Sequence, residues 1–161
     1  MMKLPKTFLR GSIPPLITPF RNGKVDYDAY AGLVEFQVKN GSHGILVNGT
    51  TSEPYSLTVD ERNRIVDVAI DANRGRRPIV VASGSQSFAE SEALSRHAAD
   101  AGADALLIVT PYYSRPPQRG IVKYYLELTK RIDLPWMNYH IHGRAAVGVT
   151  IETERAQSLI H

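Results

Sequence analysis

Apolar residues in this chain gather in five short runs, separated by longer stretches in which they recur every three or four positions. The runs are residues 13–20, 44–48, 79–83, 105–110 and 134–141. Ile45-Leu46-Val47 and Ala105-Leu106-Leu107-Ile108-Val109 show no polar alternation, as expected of parallel strands buried on both faces. The intervening stretches predict amphipathic helices. Asp26 is placed to cap a helix whose apolar face holds Tyr30, Leu33, Val34 and Val38. Thr58 with Glu61, and Ser87 with Glu90, have the spacing of capping boxes. The second helix presents Ile65, Val68, Ala69 and Ala72 on one side, and the fourth presents Val122, Tyr125, Leu126 and Thr129. Gly41, Gly75 and Gly102 follow three helices where a left-handed cap is expected. Thr150 starts a fifth helix, which the end of the chain cuts short.

Strand, polar loop, helix and glycine thus repeat as one unit. The markers Ile13, Ile45, Ile79, Leu106 and Met137 stand 32, 34, 27 and 31 residues apart, close to the roughly 31 residues per unit of a (β/α)8 barrel. The same alternation also fits an open, doubly wound sheet. That fold places a glycine-rich fingerprint after its first strand, where this chain has Thr18-Pro19-Phe20. The pattern therefore predicts an α/β chain of the (β/α)8 TIM-barrel type, truncated to about the first five βα units. Residues 1–161 are expected to form a single partial domain, with no linker or low-complexity stretch.

Composition narrows the class. Hydrophobic residues are 43% and charged residues 22%, ordinary for a soluble globular chain. The net charge of +3 is small and its basic residues are scattered, so no nucleic-acid partner is expected. Arg74-Gly75-Arg76-Arg77 is read as a solvated loop at a helix end. There is no cysteine, which excludes disulfides, thiolate metal sites and a cysteine nucleophile, and fits a cytoplasmic protein. No window reaches the roughly 18 apolar residues of a membrane span, and residues 1–10 do not read as a signal peptide.

Candidate chemistry sits at the strand ends, where barrels of this type carry their working residues. The second strand runs into Asn48-Gly49-Thr50-Thr51-Ser52-Glu53, whose hydroxyls and backbone N–H groups could cradle a carboxylate. The fourth ends in Thr110-Pro111-Tyr112-Tyr113, and the fifth in Tyr139 with Arg144 just beyond. Tyrosine with arginine suits a proton relay beside an anionic group. Taken singly, each segment also reads as a polar turn or as packing. His140 and His142 alternate and, on one strand face opposite Tyr139, would also suit a zinc-dependent hydrolase. No HExxH and no cysteine accompany them, and no metal is expected.

Together, Thr18-Pro19-Phe20, Gly49-Thr50-Thr51, Pro111-Tyr112-Tyr113 and Tyr139 with Gly143-Arg144 resemble the pyruvate-dependent class I aldolases of the dihydrodipicolinate synthase and N-acetylneuraminate lyase superfamily. The resemblance runs over residues 11–161 but covers about the first half of such a barrel. It implies that Thr50 and Thr51 hold the pyruvate carboxylate and that Thr50 joins a hydroxyl relay. Tyr139 would shuttle protons, Tyr113 would be lent across a subunit interface, and Arg144 would hold the second substrate's carboxylate. It further implies a homo-oligomer, no cofactor, and two small-molecule substrates, pyruvate and an aldehyde. The Thr-Thr pair with Arg144 points toward the dihydrodipicolinate synthase side, with aspartate semialdehyde as the aldehyde and lysine biosynthesis as the setting. Sugar-acid aldolases and dehydratases of the same family are the alternative.

The family's central residue is a lysine that ends the sixth strand and forms a Schiff base. One further unit places it at roughly position 170, beyond His161. Lys3, Lys6, Lys24, Lys39, Lys123 and Lys130 are read on the N-terminal arm, on loops at the wrong end, or on helices. The expectation is a chain that lacks the Schiff-base lysine and is inactive as given, or a half barrel that only binds or self-associates. Ser52 stands where the family has glycine, and His140 and His142 where it has asparagine and proline; these three are expected near the second substrate.

Overall fold

The computed structural model describes residues 9–158; Lys3, Lys6 and His161 lie outside the described residues. The first apolar run does not become a full strand. Pro14 and Pro15 have no N–H to give to a ladder, so the segment keeps one parallel bridge, Pro15 to Leu46. That bridge is secured by Leu16 N donating to Leu46 O at 3.0 Å and Leu46 N donating to Pro14 O at 3.0 Å. The run then ends in a small hairpin, β1 (Phe20–Arg21) with β2 (Lys24–Val25), paired antiparallel. Between them Asn22 and Gly23 both adopt positive φ, 52° and 76°. Two such residues make the turn whose twist matches a tight hairpin.

The main sheet has four parallel strands, β3 (Ile45–Val47), β4 (Ile79–Ala82), β5 (Ala105–Val109) and β6 (Trp136–Tyr139). Their order in space is their order in sequence. A doubly wound sheet would reverse direction partway; this one advances strand by strand, as an arc of a barrel does. The register pairs Leu46 with Val80, Ala82 with Leu107, and Leu107 with Met137. Parallel partners share a face, so Leu46, Val80, Ala82, Ala105, Leu107, Val109, Met137 and Tyr139 line one side of the arc. Ile45, Val47, Ile79, Val81, Leu106 and Ile108 line the other and are buried in the main core.

Helices cover only that second side. They are α1 (Tyr27–Lys39), α2 (Val59–Asn73), α3 (Phe88–Ala101) and α4 (Gln118–Thr129). Each packs on the next, and α4 also meets α6 (Ile151–Ser158), beyond the short α5 (His142–Ala145). The Asp26 carboxylate caps α1 through Ala29 N–H, and Tyr30 and Val34 are buried beneath it. Thr58 and Glu61 form the full capping box of α2. Thr150 Oγ1 accepts from Thr153 N at 3.3 Å at the head of α6.

Three local expectations are corrected. Ser87 caps α3, accepting from Glu90 N at 3.3 Å, but the Glu90 carboxylate turns away to Arg62 at 3.1 Å, so no reciprocal box forms. The left-handed residue ending α2 is Arg74 itself, φ 52°, with Gly75 continuing the turn at φ 67°. The buried stripe of α4 is Ile121, Tyr125 and Leu128; Val122, Leu126 and Thr129 only flank it. Tyr125 sets that rotation: its ring stacks on Trp136 at 4.9 Å, and its hydroxyl donates to Asn138 Oδ1 at 2.6 Å.

Candidate active site

The C-terminal ends of the four strands open into one cleft of about 730 Å3. Its floor is the uncovered face of the sheet, Ala82, Leu107 and Val109, with Gly84 just past β4. A side chain at Gly84 would force the backbone to shift, because a Cβ would stand 2.4 Å from Val109 N. After β3 the chain makes a sharp change of direction. Asn48 is buried at φ 57° and donates from Nδ2 to Arg62 O at 3.0 Å. Gly49 follows, and Thr50–Ser52 close into a 3-10 turn.

Thr50 Oγ1 lies 3.2 Å from Tyr139 Oη. Thr50 lies three residues past β3 and Tyr139 ends β6, the two outer strands of the sheet. In a flat sheet, three inter-strand gaps of about 4.8 Å would separate them by roughly 14 Å. Curvature and the reach of the tyrosine bring the hydroxyls together, and either oxygen can donate. Arg144, on α5, lines the same cleft and is exposed.

Two expected site residues are not part of this lining. Thr51, the middle residue of the 3-10 turn, is exposed. Tyr113 is 87% exposed, with backbone φ 64°; the tyrosine of that pair that lines the cleft is Tyr112. Ser52 is fully buried and faces the N-terminal segment, which corrects the expectation that it stands near a second substrate. His140 and His142 do not share a strand face, because β6 ends at Tyr139 and His142 already opens α5. Their ring centroids are 6.1 Å apart, and among the described residues no three His, Cys, Asp or Glu side chains gather as metal ligands would.

Several cleft residues escape sequence reasoning. Arg62 and Glu90 form an ion pair in its wall at 3.1 Å. Burial lowers the Arg62 pKa, and Glu90 opposes that shift. Arg62 Nη2 also donates to Ala82 O at 3.3 Å. Ser85, on the rim, is tied down from behind: its N–H donates to Ser91 Oγ at 2.7 Å and its carbonyl accepts from Tyr124 Oη at 2.9 Å. Burial raises the Tyr124 pKa. Behind Tyr139, the Tyr125 hydroxyl contacts Ile108 O and Asn138 Oδ1 at 3.1 and 2.6 Å. Burial pushes its pKa well above the ordinary tyrosine value. The one available signal was Arg62 itself, a charge set three residues before Ile65 on the apolar stripe of α2.

The described lysines lie elsewhere. Lys24 is in β2, Lys39 ends α1, Lys123 is on α4 and Lys130 follows it; all are exposed, and none lines the cleft. The cleft therefore offers hydroxyls, a guanidinium and a partly buried ion pair, and among the described residues its lining holds no amine.

Comparison with known proteins points to one family. The family model described as "Dihydrodipicolinate synthetase family" matches residues 8–160. The 4-hydroxy-tetrahydrodipicolinate synthase of Phenylobacterium zucineum is 45% identical over 141 residues, covering 88% of this chain and 48% of that protein. That of Thermus thermophilus is 43% identical over 145 residues, covering 89% and 48%. The crystal structure of dihydrodipicolinate synthase from Aquifex aeolicus superposes with a TM-score of 0.92 at 37% identity, over 94% of this chain and 52% of that one. The Acinetobacter baumannii dihydrodipicolinate synthase, complexed with pyruvate, gives 0.89 at 34% identity, over 92% and 51%. The chain thus spans about half the length of these relatives, and its parallel strands and helices are an arc of their (β/α)8 barrel. It belongs to the dihydrodipicolinate synthetase family.

Proposed function

We propose that this chain carries the hydroxyl and arginine half of an active site for pyruvate-dependent aldol chemistry, of the 4-hydroxy-tetrahydrodipicolinate synthase kind. The observation that carries the reading is the 3.2 Å contact between Thr50 and Tyr139 in the cleft that Arg144 also lines. Two hydroxyls in contact can pass a proton in either direction. Such a relay serves the attack of an amine on the pyruvate ketone, where the carbinol oxygen must gain a proton before it leaves as water. In this reading Thr50, which lines the cleft, holds the pyruvate carboxylate together with the backbone N–H of its neighbour Thr51 on the same 3-10 turn, and Arg144 holds the carboxylate of an aldehyde such as aspartate semialdehyde. The amine comes from outside the described residues. Tyr113, exposed at a strained backbone position, is offered to a second copy of the chain, consistent with a homo-oligomer. Among the described residues no helix is long and apolar enough to cross a membrane.

The test is pyruvate titration followed by NMR, with borohydride trapping and mass spectrometry on the same samples. Thr50→Val is expected to weaken pyruvate binding about tenfold, the effect of one lost hydrogen bond of ~1.4 kcal/mol. Arg144→Ala should leave pyruvate binding unchanged and weaken a dicarboxylate that mimics the second substrate. Pyruvate binding that ignores Thr50→Val would refute the carboxylate assignment. A borohydride adduct on Lys24, Lys39, Lys123 or Lys130 would refute the placement of the amine.

A further inference from the structure

The Thr50 hydroxyl can meet Tyr139 only if the 3-10 turn that carries it stays in place. That turn is short, lies at the cleft rim, and sits between two left-handed residues, Asn48 and Glu53. It is held by a buried crossing of hydroxyls and carbonyls with the segment before β1. Ser52 Oγ donates to Leu16 O at 2.6 Å, and Thr18 Oγ1 donates to Ser52 O at 2.8 Å. Within the turn, Ser52 N donates to Gly49 O at 2.9 Å. Ser52 is fully buried and Thr18 is 6% exposed, so water cannot readily replace either bond. The other end of the clamp is anchored as well, since Leu16 N donates to Leu46 O. A continuous path of hydrogen bonds therefore runs from β3 through Leu16 to Ser52, two residues from Thr50, with Thr18 as a second support on Ser52. On the opposite wall Tyr139 is fixed by its own strand, its carbonyl accepting from Thr110 N at 3.1 Å.

We propose that Ser52 and Thr18 are positioning residues that act through the 3-10 turn to hold the Thr50 hydroxyl against Tyr139. The functional meaning of that contact rests on the reading given above, but the positioning itself is measurable without any substrate. The clamp fixes one partner of the hydroxyl pair, where a glycine at position 52 would supply only the carbonyl half.

The experiment uses the chain labelled with 13C at tyrosine Cζ, whose chemical shift follows hydrogen bonding of the phenol, with the Tyr139 signal assigned from Tyr139→Phe. Thr50→Val defines the shift that marks loss of the contact. Thr18→Val and Ser52→Gly should each move the Tyr139 signal in that same direction, while the buried Tyr30 signal stays in place. Thr18→Ser, which keeps the donor, should leave it at the wild-type position. The proposal is overturned if Thr18→Val and Ser52→Gly lower the melting temperature yet leave the Tyr139 signal unmoved. It is equally overturned if Thr18→Ser moves that signal as far as Thr18→Val. Should Ser52→Gly not fold, the Thr18→Val and Thr18→Ser pair decides alone; failure of both to fold, with Thr50→Val folded, assigns the clamp to stability and overturns the proposal.

Discussion

Glu90→Gln tests whether the ion pair in the cleft wall is a structural requirement. Arg62 is 6% exposed, its Nε has no hydrogen-bond partner among the described residues, and Glu90 is the carboxylate it touches. Removing one member of a fully buried pair costs roughly 3–5 kcal/mol, because the other charge is left without compensation. Here the Glu90 side chain is 36% exposed and Arg62 keeps the Ala82 carbonyl. Solvent therefore screens part of the loss, and about 2 kcal/mol is expected. For a chain of this size that corresponds to a fall in Tm of roughly 4–8 °C. Urea unfolding followed by far-ultraviolet circular dichroism measures it, with Arg62→Met as the second arm of a double-mutant cycle. In the Arg62→Met background, Glu90→Gln should cost close to nothing, since glutamine can return to the capping role that Glu90 leaves open. A Glu90→Gln protein that unfolds at the wild-type midpoint, or one whose cost is unchanged in the Arg62→Met background, would refute the argument.

Two further outcomes follow from the geometry. Gly84→Ala places a Cβ against the backbone of β5, which cannot move without breaking the ladder, and should cost about 2–3 kcal/mol; differential scanning calorimetry would show a change of that size or exclude it. The Ala29 N–H, with Arg21 beside it, lowers the Asp26 pKa, and Arg76 lowers that of Glu35 to about 2. For such groups the folded state holds its proton less tightly than the unfolded chain. Their stabilisation is complete above the unfolded values near pH 4 and is lost as pH falls through the folded ones. Asp26→Asn keeps an acceptor for Ala29 but does not titrate, so its deficit against wild type should shrink between about pH 5 and pH 2; a deficit constant over that range would count against the cap assignment.

The helices and strands were legible because their signals are local. The Thr58 box, the Asp26 cap and the continuous run of β5 each lie within a few residues, and the structure reproduces them. Misreadings arose where a side chain had a distant partner. The Ser87 and Glu90 spacing fits a box, but Arg62, 28 residues earlier, takes the carboxylate. The face of α4 is decided by Tyr125 reaching Asn138, which periodicity alone does not reveal. The first run is as apolar as a strand, but its adjacent Pro14 and Pro15 leave it a single bridge to β3. At the site, Thr50, Tyr139 and Arg144 could be named from position at strand ends. Tyr112 and Tyr113 are adjacent and chemically identical, so only the backbone decides which one faces the cleft.

The alternation along β5 and β6 has a consequence for how such a chain can vary. Leu107, Val109 and Tyr139 line the cleft and Met137 shares their face of the sheet, while Leu106, Ile108, Trp136 and Asn138 lie on the helix-covered face, so cleft lining and structural support occupy alternate codons. Substitution at the first set can reshape the cleft with little effect on the helix-packed core. Loss or gain of a single codon within a strand exchanges the two sets, sending Asn138 to the cleft and Tyr139 among the helices. Mutation can therefore vary the cleft lining here by replacement but not by change of strand length, and length variation is left to loops such as residues 112–117.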